Sequence, residues 1–306
     1  GAIESRQMST TPYVMMPSRG LVLIGGADRT DFLQGLISND IRRATADHAI
    51  WAALLTPQGK YLHDFFVVEI DGQYFLDCEA ERLMDLGSRL SKYKLRAQID
   101  LGIGEDYAVA VLPGTAALDR AGLPAEPGTA RSLESGGIVY VDPRHSEAGA
   151  RAILPKDGAE ASLQSLGFEA GTRDDYDRVR LPLGLPDGSR DLVVEKSILL
   201  ESNFDELNGV DWDKGCYMGQ ELTARTKYRG LIKKRMMPVD IDGPLPAAGT
   251  EILLGDKNAG EMRSGSDGRG IALLRLEQAE KALNGEGRLV AGEATLTPRK
   301  PDWATF

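Results

Sequence analysis

Cys216 is the side chain best placed to do chemistry, within Lys214-Gly215-Cys216-Tyr217-Met218-Gly219-Gln220-Glu221. Flanking glycines let the backbone bend sharply and approach a ligand closely. Gln220 onward reads as the start of a short helix or strand, which leaves Cys216 on an exposed turn. Lys214 and the basic residues from Arg225 onward would favour the thiolate, the nucleophilic and metal-binding form of cysteine. A connecting turn whose thiol fills a gap is the competing reading. One thiolate cannot hold an iron–sulfur cluster, which takes about four ligands. A soft sulfur on a turn can still share a cluster with cysteines of another protein. Catalysis by Cys216 would need a paired histidine, and three scattered histidines place none beside it. No Gly-x-Ser-x-Gly, phosphate-loop or His-Glu-x-x-His pattern occurs.

The Lys-Gly-Cys-Tyr-x-Gly-Gln-Glu run resembles the signature of the YgfZ-type folate-binding iron–sulfur maturation proteins. These are relatives of the glycine-cleavage T protein, an aminomethyltransferase. The stretch from Leu200 through Arg229 is similar to the branch that includes the mitochondrial iron–sulfur assembly factor. Phe32 to Asp40 resembles the first helix of the T-protein family. Arg180, in Arg178-Val179-Arg180-Leu181-Pro182, matches the family's arginine-bearing segment. Leu199-Leu200-Glu201 resembles its Pro-Leu-Glu segment, without the proline. The T protein's Gly-Gly-x-x-Asp-Asp corresponds here to Gly59-Lys60-Tyr61-Leu62-His63-Asp64. His63 then stands where the family's first aspartate belongs, or Asp64 does if the register shifts by one.

The resemblance implies tetrahydrofolate or a related folate as ligand. A reduced folate offers a donor-rich pterin edge, an aromatic linker and an anionic tail. It asks for a carboxylate, apolar walls and a basic group. Glu201, Asp64, Tyr217 and Arg180 or Arg225 are the candidates, with Lys214, Gln220 and Glu221 of the motif as further cofactor contacts. Cys216 is the expected contact to a cluster or partner, as a metal ligand shared with that partner. The implied function is a tetrahydrofolate-binding accessory factor for iron–sulfur cluster assembly or repair. Its partners would be an A-type iron–sulfur carrier protein and iron–sulfur client enzymes, with a transient shared cluster. The alternative is a folate-dependent one-carbon transferase moving an aminomethyl or methyl group. A scaffold with an empty pocket is a third reading.

At 306 residues the chain has room for two or three domains with sizeable cores. A net charge of -10 argues against general nucleic-acid binding. Cys78 and Cys216 offer no disulfide framework, so a reducing compartment is expected. No apolar run reaches the roughly 18–20 residues that span a bilayer. Residues Gly1 to Gln7 are left out of the fold argument. Without a visible presequence the expected location is cytoplasmic, or the mitochondrial matrix for a processed eukaryotic protein.

The elements that must position these groups read as α+β, because strands and helices alternate without a clean βαβ rhythm. Gly20 to Ile24 is a strand, and Asp28 can cap a helix carrying Phe32, Leu33, Leu36 and Ile37 on one face, stopping at Ser38-Asn39-Asp40. Trp51–Thr56, Tyr61–Ile70 and Gln73–Cys78 form a meander, with Cys78 in the core, followed by a helix over Ala80–Tyr93. Ile99 to Leu112 holds two short apolar runs. Residues from Pro113 to Gly128 read as loop, followed by strands at Gly137–Val141 and Arg151–Leu154. Helices follow at Leu163–Leu166 and Asp174–Leu181. Arg225, Lys227 and Arg229 have period two and would share one face of a strand as a positive stripe. Beyond Met237, short strands and glycine turns suggest a small barrel. The expectation is a T-protein-like three-lobed fold. Two interleaved ferredoxin-like lobes span 8–235 as the folate-binding region, and a C-terminal β-barrel spans 236–306.

Overall fold

The computed structural model describes residues 11–306; the expected domain start at Met8 lies outside them. Two compact units form, the first from 11–33, 41–51 and 65–179, the second from 34–40, 52–64 and 180–306. The chain opens with β1 (Pro12–Met15), β2 (Arg19–Gly25) and helix α1 (Arg29–Gln34), then the meander β3 (Ile50–Leu55), β4 (Tyr61–Ile70) and β5 (Gln73–Glu79). Helix α2 (Leu83–Lys94) buries Leu86 and Leu90, one turn apart. β6 (Asp100–Ile103) closes a five-stranded sheet of order β3-β4-β5-β2-β6.

The first unit continues with β7 (Tyr107–Pro113), α3 (Ala116–Arg120), β8 (Ala130–Ser132), β9 (Ile138–Val141), β10 (Gly149–Pro155), α4 (Ala159–Ser165) and β11 (Glu169–Ala170). These strands and β1 form a six-stranded sheet, β11-β1-β7-β10-β9-β8. Its core joins Ala110, Leu112, Val139, Val141 and Ala152 to Leu118 and Leu163 from the helices. Cys78 is buried on β5, as expected of a core thiol.

Helix α5 (Arg173–Leu183) passes into the second unit, followed by irregular chain and α6 (Gln220–Tyr228). The remainder is β12 (Lys234–Asp242), β13 (Glu251–Leu254), β14 (Lys257–Ser266), β15 (Arg269–Arg275), α7 (Leu276–Leu283), β16 (Leu289–Ala291) and β17 (Ala294–Pro298). The six strands close as the barrel β12-β15-β14-β13-β16-β17. Met237, Val239, Ile252, Met262, Ala272, Leu274 and Leu296 fill it. Among the described residues no helix is long and apolar enough to cross a membrane.

Three local expectations are corrected. Helix α1 ends at Gln34, so Leu36 is buried from the following turn and Ile37 from an isolated bridge to Leu54 instead of a helical face. The Asp28 carboxylate does not cap that helix; it accepts from Gln98 N at 2.7 Å. Residues 113–128 contain α3, whose Ala117 and Leu118 are buried.

Candidate functional site

Within the second unit, the segment 34–40 and the motif loop are fastened to each other along their backbones. Lys214 Nζ donates to Gln34 O at 2.8 Å, Ile37 O at 2.6 Å and Asn39 O at 2.8 Å. An ammonium has three protons, and all three are used. Helix α1 stops where it does because these carbonyls turn toward a cation instead of continuing the helical ladder. Met218 N donates to Gly35 O at 3.0 Å and Asp211 N to Ser38 O at 3.1 Å. Ser38 Oγ donates to Gly209 O at 2.7 Å and accepts from Ala53 N at 2.9 Å. Asn39 Nδ2 donates to Asn208 O at 3.0 Å.

Cys216 lies between the two anchors, Lys214 and Met218, and is exposed. The thiol is therefore held out on a loop fixed at both ends. Tyr217 points the other way and is buried. Burial pushes its phenol up to about 12, with Asp211 adding to the effect and a hydrogen bond with Thr223 opposing it, so the hydroxyl stays protonated. Lys214 Nζ sits 4.9 Å from the Tyr217 ring centroid. All three protons of the Lys214 ammonium are committed to carbonyls, which makes it a fastener of the loop.

Gln220 and Glu221 open helix α6, which packs Thr223 and Thr226 inward. Helical geometry overturns the strand-face stripe. At about 100° per residue, Arg225 and Arg229 share a side while Lys227 lies nearly opposite. Lys227 Nζ instead caps the Trp212 ring at 3.8 Å. Arg235, from the same basic run, is buried against Asp205, with Nη1–Oδ1 at 2.8 Å and Nη2–Oδ2 at 3.1 Å. It also donates to Leu200 O at 2.9 Å, clamping the turn that carries Glu201.

The remaining candidates divide by exposure and partner. Arg180 is fully buried, and its Nη1 donates to Asp191 Oδ2 at 3.2 Å and Leu185 O at 3.0 Å. Asp191 in turn accepts from Ser264 Oγ at 2.6 Å. Asp64 is buried on β4 and accepts from Tyr61 OH at 2.6 Å. His63, beside it, is buried as well. Arg225 and Glu221 are exposed on α6. Glu201 is half-buried and lines a cavity of about 250 Å³ together with Lys196, Lys234 and Arg263. Burial raises its carboxyl above the usual range, against the opposing charges of Lys234, Lys60, Arg263 and Arg275. Lys196, Lys234 and Arg263 were not among the residues singled out from the sequence; the basic run held the only hint, and only for Lys234. Among the described residues no group of His, Cys, Asp and Glu is arranged to hold a metal ion.

Residues 233–306 match the family described as the CAF17 C-terminal beta-barrel domain. The glycine cleavage system aminomethyltransferase T of Bartonella henselae superposes with a TM-score of 0.76 at 15% identity, over 97% of this chain and 87% of that one. At that identity the likeness shows the fold: a T-protein-like α+β architecture with its C-terminal barrel. The mitochondrial iron–sulfur cluster assembly factor IBA57 of Mus musculus is 33% identical over 312 residues, covering 94% of this chain and 84% of its own. The Homo sapiens protein of that name is 33% identical over 314 residues, with the same coverage of 94% and 84%. The Mycosarcoma maydis homolog is 31% identical over 329 residues, covering 92% and 77%. With identities of 31–33% over 92–94% of its length, the chain belongs to the IBA57 family of iron–sulfur cluster assembly factors.

Proposed function

We propose that this chain is an iron–sulfur cluster assembly factor that presents Cys216 to a cluster held jointly with a second protein. The observation that carries the reading is the thiol's exposure on a loop pinned at Lys214 and Met218. A pinned loop fixes where the sulfur stands, so little ordering entropy remains to be lost when a partner supplies the other ligands. A single sulfur completes a coordination sphere and does not make one. The partner is an A-type carrier, and the recipients are iron–sulfur client enzymes. The names of the relatives place them in mitochondria, which fits the matrix alternative derived from the sequence.

Tetrahydrofolate is the proposed ligand. Glu201 supports it best, since a half-buried carboxyl that lines a cavity can accept from the donor-rich pterin edge. Arg225 and Glu221 are exposed polar groups of the same unit, and Gln220 and Tyr217 frame the loop. Arg180 and Lys214 support it least, because their charges already have internal acceptors.

A Cys216→Ser variant, loaded with carrier protein and an apo client, tests the central step. Delivery is expected to fall at least tenfold, and delivery at the wild-type rate would take the cysteine out of the mechanism. Calorimetric titration with tetrahydrofolate tests the ligand separately. Absence of both heat and thermal stabilisation would remove folate while leaving the cysteine's role standing. Formation of methylene- or methyl-folate from a one-carbon donor would instead favour the transferase reading.

A further inference from the structure

The cavity beside Glu201 has a second wall that neither the thiol nor the folate reading uses. Lys196 and Ser197 precede Glu201 in the chain, Lys234 opens β12, and Arg263 reaches in from β14. Neither the Lys196 nor the Lys234 ammonium has a hydrogen bond or ion pair among the described residues, although both residues line the cavity.

Arg263 is the decisive group. Its side chain is 8% exposed, so it has left most of its water behind. A guanidinium carries five N–H donors, yet this one makes a single bond, from Nη1 to Glu261 Oε2 at 2.9 Å. The Glu261 side chain is itself 52% exposed, which makes this a rim pair. Arg263 Nε is buried without any acceptor. Nε also lacks an acceptor in Arg235 and Arg151, but those guanidiniums are held by the carboxylates of Asp205 and Asp77. The other buried arginine of this unit, Arg180, is held by Asp191. A buried donor left without a partner costs about 1–3 kcal/mol, more when charged. An acceptor arriving from solution removes that cost.

From this we infer that the cavity is a binding site for a small carboxylate- or phosphate-bearing anion, with Arg263 as its fork and Lys196 and Lys234 as its flanking charges. Planar, paired oxygens match the guanidinium edge, and two ammonium groups add attraction in a half-enclosed space. Size limits the occupant: about 250 Å³ falls below the roughly 300–1,000 Å³ of sites for drug-sized ligands. Inorganic phosphate or a four-carbon dicarboxylate is of that order. The lining sets three cations against the carboxylates of Glu201 and Glu261, a net positive cavity in a chain of net charge -10. Glu201 lines the same cavity, so a small anion there would compete with the pterin end of the proposed folate, and a titration without folate tests the anion by itself.

The test uses the full chain without folate, titrated with inorganic phosphate or with succinate at ionic strength held constant by chloride. Saturable heat together with a rise in Tm is expected from at least one of the two, and which one responds identifies the anion class. Arg263→Gln is expected to weaken that binding at least tenfold. Should Arg263→Gln fail to fold, the double variant Lys196→Met/Lys234→Met, which alters only exposed or half-buried positions, is expected to do the same. A response no larger than that of chloride alone, or a binding curve unchanged in a folded variant, would overturn the site.

Discussion

A Cβ placed on Gly219 would lie 3.0 Å from the Cα of Gly59 and 2.6 Å from Thr56 O. The reverse holds too: a Cβ on Gly59 would meet Gly219 O at 2.9 Å and Leu222 Cβ at 2.6 Å. Both residues have positive φ, +80° and +87°, a region that side chains disfavour. The β3–β4 turn and the end of the motif loop thus touch backbone to backbone. Gly219→Ala should lower stability by about 2 kcal/mol or more, from strain and overpacking together. Gly215→Ala, with nothing within 4 Å and no positive φ, should change stability by less than about 0.5 kcal/mol. Urea unfolding of the two variants decides; equal losses would refute the contact.

The Lys214 staple can be tested by shape as well as charge. Lys214→Met removes the donor from three carbonyls that fold back around it, at about 1–3 kcal/mol for each acceptor left buried and unsatisfied. A loss of at least about 2 kcal/mol is expected, with faster amide exchange across 208–218. Lys214→Arg should not rescue it, because a planar guanidinium cannot aim three donors at converging oxygens. Wild-type exchange rates in Lys214→Met would show that the loop is held by something else.

Much of the fold was legible because hydrophobic period and turn residues agree in the meander and barrel. Gly20–Ile24, Tyr61–Ile70 and Gln73–Cys78 fall on β2, β4 and β5. β14 carries little strand signal of its own, because Lys257–Ser266 is polar and holds two glycines; its pairing with β13 and β15 makes it a strand. The exposed turn at Cys216 could be read from its glycines. The destination of Lys214 could not, since its acceptors lie about 180 residues away in sequence and are backbone atoms that any residues would supply. Arg180 shows the same limit: Ser264, 84 residues on, becomes its neighbour through the barrel strand β14. The basic run from Arg225 was misread because its period of two was matched to a strand, where the capping geometry of Gly219 begins a helix.

Glu201 makes stability depend on pH in a definite direction. Its carboxyl is raised in the folded chain, chiefly by burial and against four neighbouring cations. The stabilisation it provides is therefore fully present below its unfolded value of about 4.3 and is lost as pH rises through the higher folded value. Glu201→Gln should gain stability relative to the wild type as pH goes from 4 to 7. Urea midpoints measured across that range check it, and parallel curves for the two proteins would refute the shift.

Asp77 should behave in the opposite sense. It is completely buried in the first unit, with Oδ1 2.7 Å from Arg19 Nε and Oδ2 2.9 Å from Arg151 Nη2. Burial alone would raise its carboxyl, but the two guanidiniums outweigh it and hold the group below the usual carboxylate range. Its contribution is present above the unfolded value of about 3.9 and is lost as pH falls through the lower folded value. Asp77→Asn leaves two arginines in the interior without a counter-charge, which typically costs about 3–5 kcal/mol. Asp85, whose side chain is 46% exposed beside Arg89, provides the control: Asp85→Asn should cost no more than about 1 kcal/mol. The Asp77 variant should also lose the steepest part of the acid unfolding limb, since the group that must be protonated there is gone. An acid limb that survives unchanged in Asp77→Asn would mean that other carboxylates set the low-pH limit of this fold.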